Sequence, residues 1–481
     1  MPLERAESTV TSPPVAVIGG GPAGLTAAYE LTLRKIPVVV LEQDRQIGGL
    51  AKTVEYRGFR FDIGGHRFFT RQEPVLAIWK SLLGDDLLVR PRLSRILYGG
   101  RYFDYPLRPF NTLRNLGLAE SLRILASYAR ARLSPIRPEV SLADWITNRF
   151  GRRLFKMFFE SYTEKIWGIP SAEIRAHWAA QRIRGLSLLT AIFSMLFPAW
   201  RRGNRLRTLT DQFYYPRLGP GMMWDALAAR IRGGGGGIRL ESPVVAIHHD
   251  GSRVARLETD LGGKRETWEV SHVIASMPLR SLVRRLHPTP PTEIIAAADH
   301  LRYRDFLTVA LIVDLPDLFP DNWIYIHDKR VKVGRIQNFK NWSAEMVPDR
   351  VRTCLGMEYF CFAGDELWEM EDDALIALAK QDLARLGLAP AEKVSDGTVV
   401  RMPKAYPVYD EGFEDAVATI RGYLERFENL QVIGRNGMHR YNNMDHSMLT
   451  ALRAVANLVG EERFDLWEVN TGEEYHEKDT V

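Results

Sequence analysis

The chain has 481 residues, of which 46% are hydrophobic and 26% are charged, and its formal net charge is +5. This length excludes one simple core and predicts two or three domains, some built from separated segments. The small net charge argues against a general nucleic-acid binder, whereas a weakly basic protein is compatible with an anionic substrate. Residues 1–14 lack the apolar core of a signal peptide and are predicted to form a disordered tail.

The first strong motif follows this tail. An apolar run, Val15 to Ile18, leads into Gly19-x-Gly21-x-x-Gly24, an alanine-rich helical pattern and a second β-rich run. This is a β-α-β unit with the dinucleotide fingerprint. Gly19 permits a tight turn, Gly21 lets the backbone approach a pyrophosphate, and Gly24 lets helix and strand pack closely. Glu42 ends the second run, where an acid is expected to bind a ribose 2′-hydroxyl.

Two glycine pairs after the fingerprint indicate which dinucleotide binds. They are Gly48-Gly49, followed by Leu50, and Gly64-Gly65, followed by His66. A nicotinamide dehydrogenase should continue with another β-α unit here. Glycine pairs instead let the backbone cross close to a bulky planar ring and offer it unhindered N–H groups. Two ordinary turns are the alternative. We prefer a flavin site, which predicts FAD.

Residues 73–218 are mostly helical in pattern. Within them Leu186 to Trp200 is apolar, but it is too short and too interrupted to span a membrane. A helix with basic flanks could lie on anionic lipid, which leaves peripheral membrane contact open. We prefer a buried helix of a helical subdomain. The flanking arginines are Arg182, Arg184, Arg201, Arg202, Arg205 and Arg207.

The pattern of a dinucleotide domain returns at residues 219–285, with a helix from Gly221, a glycine turn and further strands. Residues 286–427 are strand-rich with one clear helix, Asp372 to Leu386. Cys354 and Cys361 alternate with aromatic residues in one β-like stretch, which favours structural thiols over a redox pair. Two cysteines without a disulfide framework favour a reducing cytoplasm.

The last folded block covers residues 428–460. A short strand ends at Gly434-Arg435, and a helix is predicted from about His446 to Val459. The first-turn N–H groups of this helix are free to bind ribityl or phosphate oxygens of a flavin. The alternative is a plain helix start with Asp445 as the capping residue.

These elements predict an α/β fold with a Rossmann-like FAD-binding domain that is discontinuous in sequence. That domain would comprise residues 15–72, 219–285 and 428–460. A helical substrate subdomain would cover residues 73–218, and a substrate domain with a mixed or antiparallel sheet would cover residues 286–427. Residues 461–481 would form a C-terminal tail.

Several segments together resemble a known family. Ser161 to Gly168, SYTEKIWG, and Tyr441 to Asp445, after Gly434-Arg435, are the most selective. The other segments are Gly64-Gly65-His66, Phe213 to Gly221, and Arg335 with Asn341-Trp342-Ser343. They are similar to segments of the UDP-galactopyranose mutases and their bacterial relatives, within the flavin amine oxidase and protoporphyrinogen oxidase group. The matches extend from Val15 to about Leu458.

The resemblance implies a reaction and roles for three residues. Such mutases interconvert the pyranose and furanose forms of a nucleotide sugar, with no net redox change. They require reduced FAD, whose N5 attacks the anomeric carbon while the nucleoside diphosphate leaves; NADPH or NADH is a candidate reductant. Arg335 and Tyr441 would bind the diphosphate, and His66 would lie beside the flavin ring. These three are the predicted catalytic residues.

The resemblance and the motifs also predict the two binding sets, and no metal site. The predicted cofactor-binding residues are Gly19, Gly21, Pro22, Ala23, Gly24, Glu42, Gln43, Gly49, Leu50, Gly64, Gly65, His66, Val245, Gly434, Arg435, Asn443, Met444 and Asp445. The predicted substrate-binding residues are Trp167, Tyr214, Tyr325, Arg335, Asn341 and Tyr441.

Two departures concern the substrate. Tyr214 stands where eukaryotic mutases have a second diphosphate-binding arginine, for which Arg217 or Arg207 would have to compensate. Asn442-Asn443 stands where bacterial mutases usually have a tyrosine and an aspartate. One alternative function is an oxidoreductase of the protoporphyrinogen oxidase, amine oxidase or desaturase type. Another is a flavin-bound interaction module without catalysis. We expect a cytoplasmic homo-oligomer.

Overall fold

The structure is a computed structural model that describes residues 12–105, 107, 109–174, 176 and 212–470. Contacts divide these residues into two compact units. Unit 1 comprises residues 12–49, 224–299 and 417–466, and unit 2 comprises the other described residues. The predicted apolar segment Leu186 to Trp200 and its flanking arginines lie outside the described residues.

A five-stranded parallel sheet forms the centre of unit 1. Val15 pairs with Val38 on one side and with His272 on the other. The two strands that flank the fingerprint are buried throughout, as expected for a parallel sheet covered on both faces. The strands, in spatial order, are β20 (Leu430–Val432), β13 (His272–Ala275), β1 (Val15–Ile18), β2 (Val38–Leu41) and β9 (Gly237–Arg239).

Helices and a smaller sheet complete unit 1. Helix α1 (Pro22–Leu33) follows β1 and packs against α16 (Met444–Val459). The smaller sheet has the order β12 (Lys264–Glu269), β11 (Val254–Leu261), β10 (Val244–His249) and β14 (Leu286–His287). The other helices wholly or partly in unit 1 are α8 (Gly221–Gly233), α9 (Leu279–Arg284), α10 (Thr292–His300), α14 (Phe413–Leu424) and α15 (Gly434–Gly437).

A seven-stranded sheet organises unit 2. Its neighbouring strands are antiparallel, apart from one parallel pair in which Trp323 is opposite Ser94. The predicted α/β fold, with a parallel sheet and a second, mixed sheet, is therefore confirmed. The strands, in spatial order, are β19 (Val394–Pro407), β15 (Tyr303–Val313), β18 (Thr353–Cys361), β17 (Arg335–Asn338), β16 (Trp323–Ile326), β6 (Ser94–Tyr98) and β7 (Arg101–Asp104).

The helical prediction for residues 73–218 is only partly right. This block also contains β5 (Leu87–Pro91), β6, β7 and β8 (Gln212–Pro216). The missed signal is Gly99-Gly100 between two short β-like runs. Both glycines have positive φ angles, 57° and 73°, which a two-residue hairpin turn requires. The hairpin therefore adds β6 and β7 to the edge of the large sheet.

The other elements of unit 2 are mostly helices. Predicted helix Asp372 to Leu386 agrees with the structure to within one residue. No helix in the described part of the chain is both long enough and apolar enough to cross a membrane. The helices are α2 (Glu73–Leu83), α3 (Pro109–Leu116), α4 (Leu118–Leu133), α5 (Leu142–Phe150), α6 (Arg152–Phe155), α7 (Ser161–Trp167), α11 (Phe339–Trp342), α12 (Glu366–Glu369) and α13 (Asp372–Arg385), and a hairpin comprises β3 (Thr53–Tyr56) and β4 (Phe59–Asp62).

The compact units have different boundaries from the predicted domains. Contacts place residues 50–72 in unit 2 and add residues 286–299 and 417–427 to unit 1. The reason for the first difference is aromatic packing, since Phe59 and Phe61 of β4 lie in one core cluster with Phe339 and Trp342. An apolar pattern in a sequence does not say which core it joins.

The two cysteines are buried free thiols in β18. Their odd spacing puts Cys354 and Cys361 on opposite faces of the strand, where they join different core clusters. Burial raises the pKa of both thiols. They therefore fill core volume, as a structural role predicts, and do not form a redox pair in this structure.

A buried carboxyl group joins the β3–β4 hairpin to β8. The Tyr215 hydroxyl donates to Asp62 Oδ2 at 2.7 Å, and the Thr53 hydroxyl donates to Oδ1 at 2.8 Å. The N–H of Gly221 donates to Thr53 Oγ1 at 3.0 Å. Burial raises the pKa of Asp62 to about 7, although the two hydrogen bonds oppose this shift.

Asp62 should make folding stability depend on pH. An unfolded aspartate has a pKa of about 3.9, so between about pH 4 and about pH 7 only the folded chain holds this proton. The free energy of unfolding should therefore fall as pH rises through that range, by on the order of 4 kcal/mol. Asp62→Asn should flatten this dependence in urea unfolding, whereas the exposed control Asp317→Asn should not. Equal slopes for Asp62→Asn and the parent would contradict the assignment.

Candidate functional site

The fingerprint forms a tight loop between β1 and α1. Gly19 has φ +104°, and a Cβ built at Gly24 would lie 1.8 Å from the Gly19 carbonyl oxygen. No side chain fits there, so helix and loop approach as closely as predicted. Gly21 is the N-cap residue of α1 and Pro22 follows it, with no side-chain cap. The N–H groups at this helix end suit an anionic ligand.

The pair Gly48-Gly49 packs on the fingerprint loop. A Cβ built at Gly49 would lie 3.2 Å from Gly21 Cα, whereas the atom nearest to a Cβ built at Gly21 is Gly49 Cα, at 3.8 Å. The N–H of Gly48 also donates to the Gly20 carbonyl at 2.8 Å. Two motifs separated in sequence thus form one backbone surface in unit 1, with little side-chain cover, as a pyrophosphate requires.

Glu42 holds this surface together. Its buried carboxylate accepts from the N–H of Gly20 at 2.5 Å and from the N–H of Asp44 at 2.8 Å. The predicted contact with a ribose hydroxyl stays a prediction, because each carboxylate oxygen can accept more than one hydrogen bond. Gln43 is exposed beside it. Val245 lies at an irregularity in β10, where the register with β11 shifts.

The C-terminal segment meets α1 within unit 1. Gly434 has φ +79°, and a Cβ built there would lie 3.0 Å from Ala23 Cβ. Arg435 Nε donates to the Asn442 carbonyl at 2.8 Å, and its guanidinium lies 4.6 Å from the centroid of the Tyr441 ring. The structure thus brings Gly434, Arg435 and Tyr441 to the unit that carries the fingerprint.

The start of α16 corrects one prediction. The helix begins at Met444, two residues earlier than predicted, and its N-cap residue is Asn443 rather than Asp445. The N–H of Asn443 donates to His446 Nδ1 at 3.4 Å. Met444 and Asp445 are therefore buried first-turn residues. The sequence pattern misplaced the start because Asp445 and Asn443 are both good capping residues.

In unit 2, a buried acid organises the predicted substrate arginine. Arg335 Nε donates to Glu358 Oε2 at 2.5 Å, and Gln337 Nε2 donates to Oε1 at 2.7 Å. Arg335 Nη2 also donates to the Tyr406 hydroxyl at 3.2 Å. Burial by itself lowers the pKa of Arg335, but the Glu358 carboxylate outweighs this effect and raises the pKa well above its usual value. The guanidinium therefore stays charged.

The predicted flavin loop lies against the same group. A Cβ built at Gly65 would lie 2.9 Å from Gln337 Nε2, and one built at Gly64 would lie 3.9 Å from Glu358 Oε1. His66, which follows, is half-buried. The predicted flavin-ring residues and the predicted substrate arginine are therefore neighbours within unit 2.

Tyrosines surround Arg335. Tyr325 is its partner across β16 and β17, and the Tyr162 ring stands edge-on to Tyr325 at 5.6 Å. Tyr105 lies 4.7 Å from Tyr325. The hydroxyls of Tyr162 and Tyr325 make no hydrogen bond within the described residues. Burial raises the pKa of Tyr162 well above its usual value, although Arg335 opposes this, so its hydroxyl stays a donor.

Two arginines that the sequence analysis missed belong to this aromatic cluster. The Arg92 guanidinium lies 5.6 Å from the rings of both Tyr105 and Trp323, and the Arg67 guanidinium lies 5.8 Å from Trp323. Arg217 pairs with Asp86 at 2.8 Å and with Glu345 at 3.3 Å, and its compensating role stays a prediction. Arg207, the other candidate, lies outside the described residues.

The remaining predicted substrate residues differ in their surroundings. Trp167 lies 6.5 Å from Tyr406, which binds Arg335. Asn341 uses both side-chain N–H groups on the carbonyls of Phe319 and Asp321, at 2.7 and 2.8 Å, which leaves only its oxygen for a ligand. Tyr214 pairs through its backbone with Phe68, and its ring lies 5.8 Å from Lys80 Nζ. The described contacts do not link Tyr214 to Arg335.

Lys165, inside the SYTEKIWG segment, fixes the chain just before Arg335. Its ammonium group donates to four backbone carbonyls at 3.0 to 3.3 Å. Burial lowers its pKa to about 8, although Asp382 and Asp328 oppose this. The carbonyls belong to Ile326, Asp328, Val331 and Val333, in the turn between β16 and β17.

One feature of the sequence could have identified a partner of Arg335 that the sequence analysis missed. Glu358 is a lone acid in the otherwise apolar strand TCLGMEYFC, and a fully buried acid requires a partner. Across the described residues, no group of histidines, cysteines and acids could hold a metal ion. The arrangement offers a charged guanidinium and phenol donors, which together can bind an anionic oxygen group.

Comparisons with known proteins agree on the fold and differ on the reaction. The sequence profile of the family described as flavin containing amine oxidoreductase matches residues 22–417. Coproporphyrinogen III oxidase of Mycobacterium leprae (strain TN) is 24% identical over 432 residues, 86% of this chain and 92% of the relative. Protoporphyrinogen oxidase 2, chloroplastic/mitochondrial, of Arabidopsis thaliana is 23% identical over 454 residues, 84% and 86%. A crystal structure of reduced UDP-galactopyranose mutase matches with a TM-score of 0.80 at 21% identity, covering 96% of this chain and 99% of that chain.

Two glycine variants should separate folding from flavin binding. Gly24→Ala puts a Cβ against the Gly19 carbonyl and should destabilise the flavin-free protein by about 1–3 kcal/mol or more. Gly21→Val keeps an extended residue, and its Cβ would make only an ordinary van der Waals contact with Gly49 Cα at 3.8 Å, so the flavin-free protein should stay folded. It should lose most bound FAD, because the side chain fills the space for the pyrophosphate. Thermal unfolding and flavin absorbance measure both effects. A Gly21→Val protein with full FAD content would contradict this site.

Proposed function

The chain belongs to the flavin containing amine oxidoreductase family, and from this premise we propose that it interconverts the pyranose and furanose forms of a nucleotide sugar. Family membership makes it a FAD-dependent enzyme. Reduced FAD, when bound, supplies the nucleophile for the anomeric carbon. The structural likeness to reduced UDP-galactopyranose mutase, over nearly the full length of both chains, supports this proposal.

The observation that carries the proposal is the way in which Arg335 is held. Arg335 Nε donates to Glu358 and Nη2 donates to Tyr406, whereas Nη1 makes no hydrogen bond within the described residues. The guanidinium is therefore fixed in orientation and keeps a donor for a ligand. A leaving diphosphate develops charge that such a preorganised cation stabilises at little cost in reorganisation. Arg335 would therefore act on the leaving group.

One arginine is not enough for a diphosphate. The Arg335–Glu358 pair is formally neutral, so a dianionic group needs further positive charge. Arg67 and Arg92 supply two cations in the same aromatic cluster. The hydroxyls of Tyr162 and Tyr325 add neutral donors. In the mutases, a second arginine is expected to help bind the diphosphate. Tyr214 stands at that position here and carries no positive charge, so we assign this task to the groups named above.

The residues predicted to lie around FAD have a separate task in this proposal. The backbone surface formed by the two glycine loops would bind the pyrophosphate of FAD, and Glu42 would bind its ribose. Gly64 and Gly65 would lie against the flavin ring, beside His66. Tyr441 would donate to the substrate diphosphate. None of these residues performs a bond-breaking step, because they orient the two reactants.

A second candidate function is the oxidation of a porphyrinogen-like substrate by FAD. The observation in its favour is that the coproporphyrinogen III oxidase of Mycobacterium leprae and the protoporphyrinogen oxidase of Arabidopsis thaliana match most of the chain. This function needs an oxidant such as oxygen and no nucleotide sugar. The two candidates therefore differ in both substrate and electron balance.

A turnover assay tests the proposed function. The FAD-loaded enzyme, reduced with dithionite under anaerobic conditions, should convert at least one member of a panel of UDP-, GDP- and TDP-sugars. The oxidised enzyme should be inactive on the same panel, because the flavin nucleophile is then absent. Oxygen uptake with a porphyrinogen, without conversion of any nucleotide sugar, would replace the mutase proposal by the second candidate.

Arg335 variants test the role of the anion site. One charge-assisted contact in a partly dry site is worth about 2–4 kcal/mol, so Arg335→Ala should lose roughly 30- to 1000-fold in kcat/KM. Arg335→Lys should recover only part, because lysine lacks the planar fork. FAD content should stay near normal. The control is Arg352→Ala, which removes a half-buried arginine that pairs with Asp349, and it should keep parental kcat/KM. Loss of FAD in Arg335→Ala, or parental turnover, would refute the role.

A further inference from the structure

Exposed apolar side chains form a continuous row on α3 and α4 in unit 2, here called the apolar stripe. Large hydrophobic residues on a protein surface usually occur singly, whereas these six are close in sequence and between 43% and 85% exposed. The stripe comprises Phe110, Leu113, Leu118, Leu122, Leu125 and Leu133.

Helix α4 has two apolar faces. One face packs on unit 2 through the buried residues Ser121, Ile124, Tyr128 and Ala131. The other carries the leucines of the stripe, which are four, three and eight residues apart and therefore lie within about a quarter of the helix circumference. Packing within unit 2 explains the first face only. The second face needs another reason for being apolar.

The charges around the stripe have one sign. Arg114, Arg123, Arg130 and Arg132 are exposed on the same two helices. Within the described residues, Arg114, Arg130 and Arg132 make no ion pair. The single acid of α4, Glu120, projects about half a turn away from the stripe and binds Arg153 at 2.7 Å. The exposed face is therefore apolar and cationic.

We propose that the apolar stripe docks this protein on an anionic phospholipid surface. Leucine and phenylalanine side chains would enter the boundary between headgroups and acyl chains, and the arginines would contact lipid phosphates. The positive charge of the exposed arginines favours an anionic phospholipid surface as the binding partner of the stripe. A second copy of the chain would bring the same arginines together across a two-fold interface, where they would repel. Residues 182–207 contain six arginines and no acid, so they would repel the stripe in the same way.

Vesicle flotation of the full-length, FAD-loaded protein tests the proposal. Vesicles of phosphatidylcholine with about 30% phosphatidylglycerol should bind the protein at low salt, and pure phosphatidylcholine vesicles should bind at least about tenfold less. Salt near 0.5 M should weaken binding several-fold, because it screens the arginines. No binding to the anionic vesicles, or equal binding to both kinds, would overturn the proposal.

Variants assign the binding to the stripe. Leu118→Ser with Leu122→Ser, and separately Arg130→Gln with Arg132→Gln, should each reduce flotation at least about fivefold, with FAD content and melting temperature unchanged. The control is Leu261→Ser, an equally exposed leucine in unit 1, which should float like the parent. Deletion of residues 186–200 should leave the effect of the stripe variants in place. Parental flotation by both double variants would overturn the proposal, as would a dimer in sedimentation velocity that the leucine variants abolish without changing flotation.

Discussion

The predicted substrate site in unit 2 depends on one buried charge, the carboxylate of Glu358. A fully buried carboxylate is strongly unfavourable unless both oxygens are bound and a cation is near. Arg335 and Gln337 meet this requirement because they are two residues apart in β17 and therefore project to the same face. The loop at Gly64 and Gly65 then packs on these groups, where a Cβ at Gly65 would lie 2.9 Å from Gln337 Nε2. One electrostatic requirement thus brings β17, β18 and the glycine loop together.

The same pair limits the chemistry that the unit can perform. Because Glu358 already neutralises Arg335, the arginine can orient an anion but cannot alone balance a diphosphate. Arg67 and Arg92 add two further cations, whose guanidinium groups lie 5.8 and 5.6 Å from the ring of Trp323. A cluster of guanidinium and phenol donors suits the oxygens of an anionic ligand better than a neutral apolar substrate.

The SYTEKIWG segment shows how a sequence motif can combine support and binding. Lys165 fixes the turn before β17 through four carbonyls, and Arg304 binds the last carbonyls of α7, those of Lys165 and Ile166. These two cations therefore fix the C-terminal part of α7. Tyr162 and Trp167 lie on the same helix, before and after Lys165. The contacts that fix the helix therefore also fix these two side chains. Their positions depend on residues that never need to touch a ligand.

The sequence by itself determined the unit 1 site, because its parts are local: a strand, a glycine turn and a helix must be contiguous, and Gly24 can approach Gly19 only there. It also identified Arg335, through a motif. Only the tertiary structure decided what Arg335 meets, since Glu358 is 23 residues away in sequence and becomes its neighbour because β17 pairs with β18. The tertiary structure also determined that Asn341 donates to backbone carbonyls and that Arg217 pairs with surface acids. Local backbone geometry follows from residues that are a few positions apart in the sequence. The partners of buried charges depend instead on which strands become neighbours in the fold.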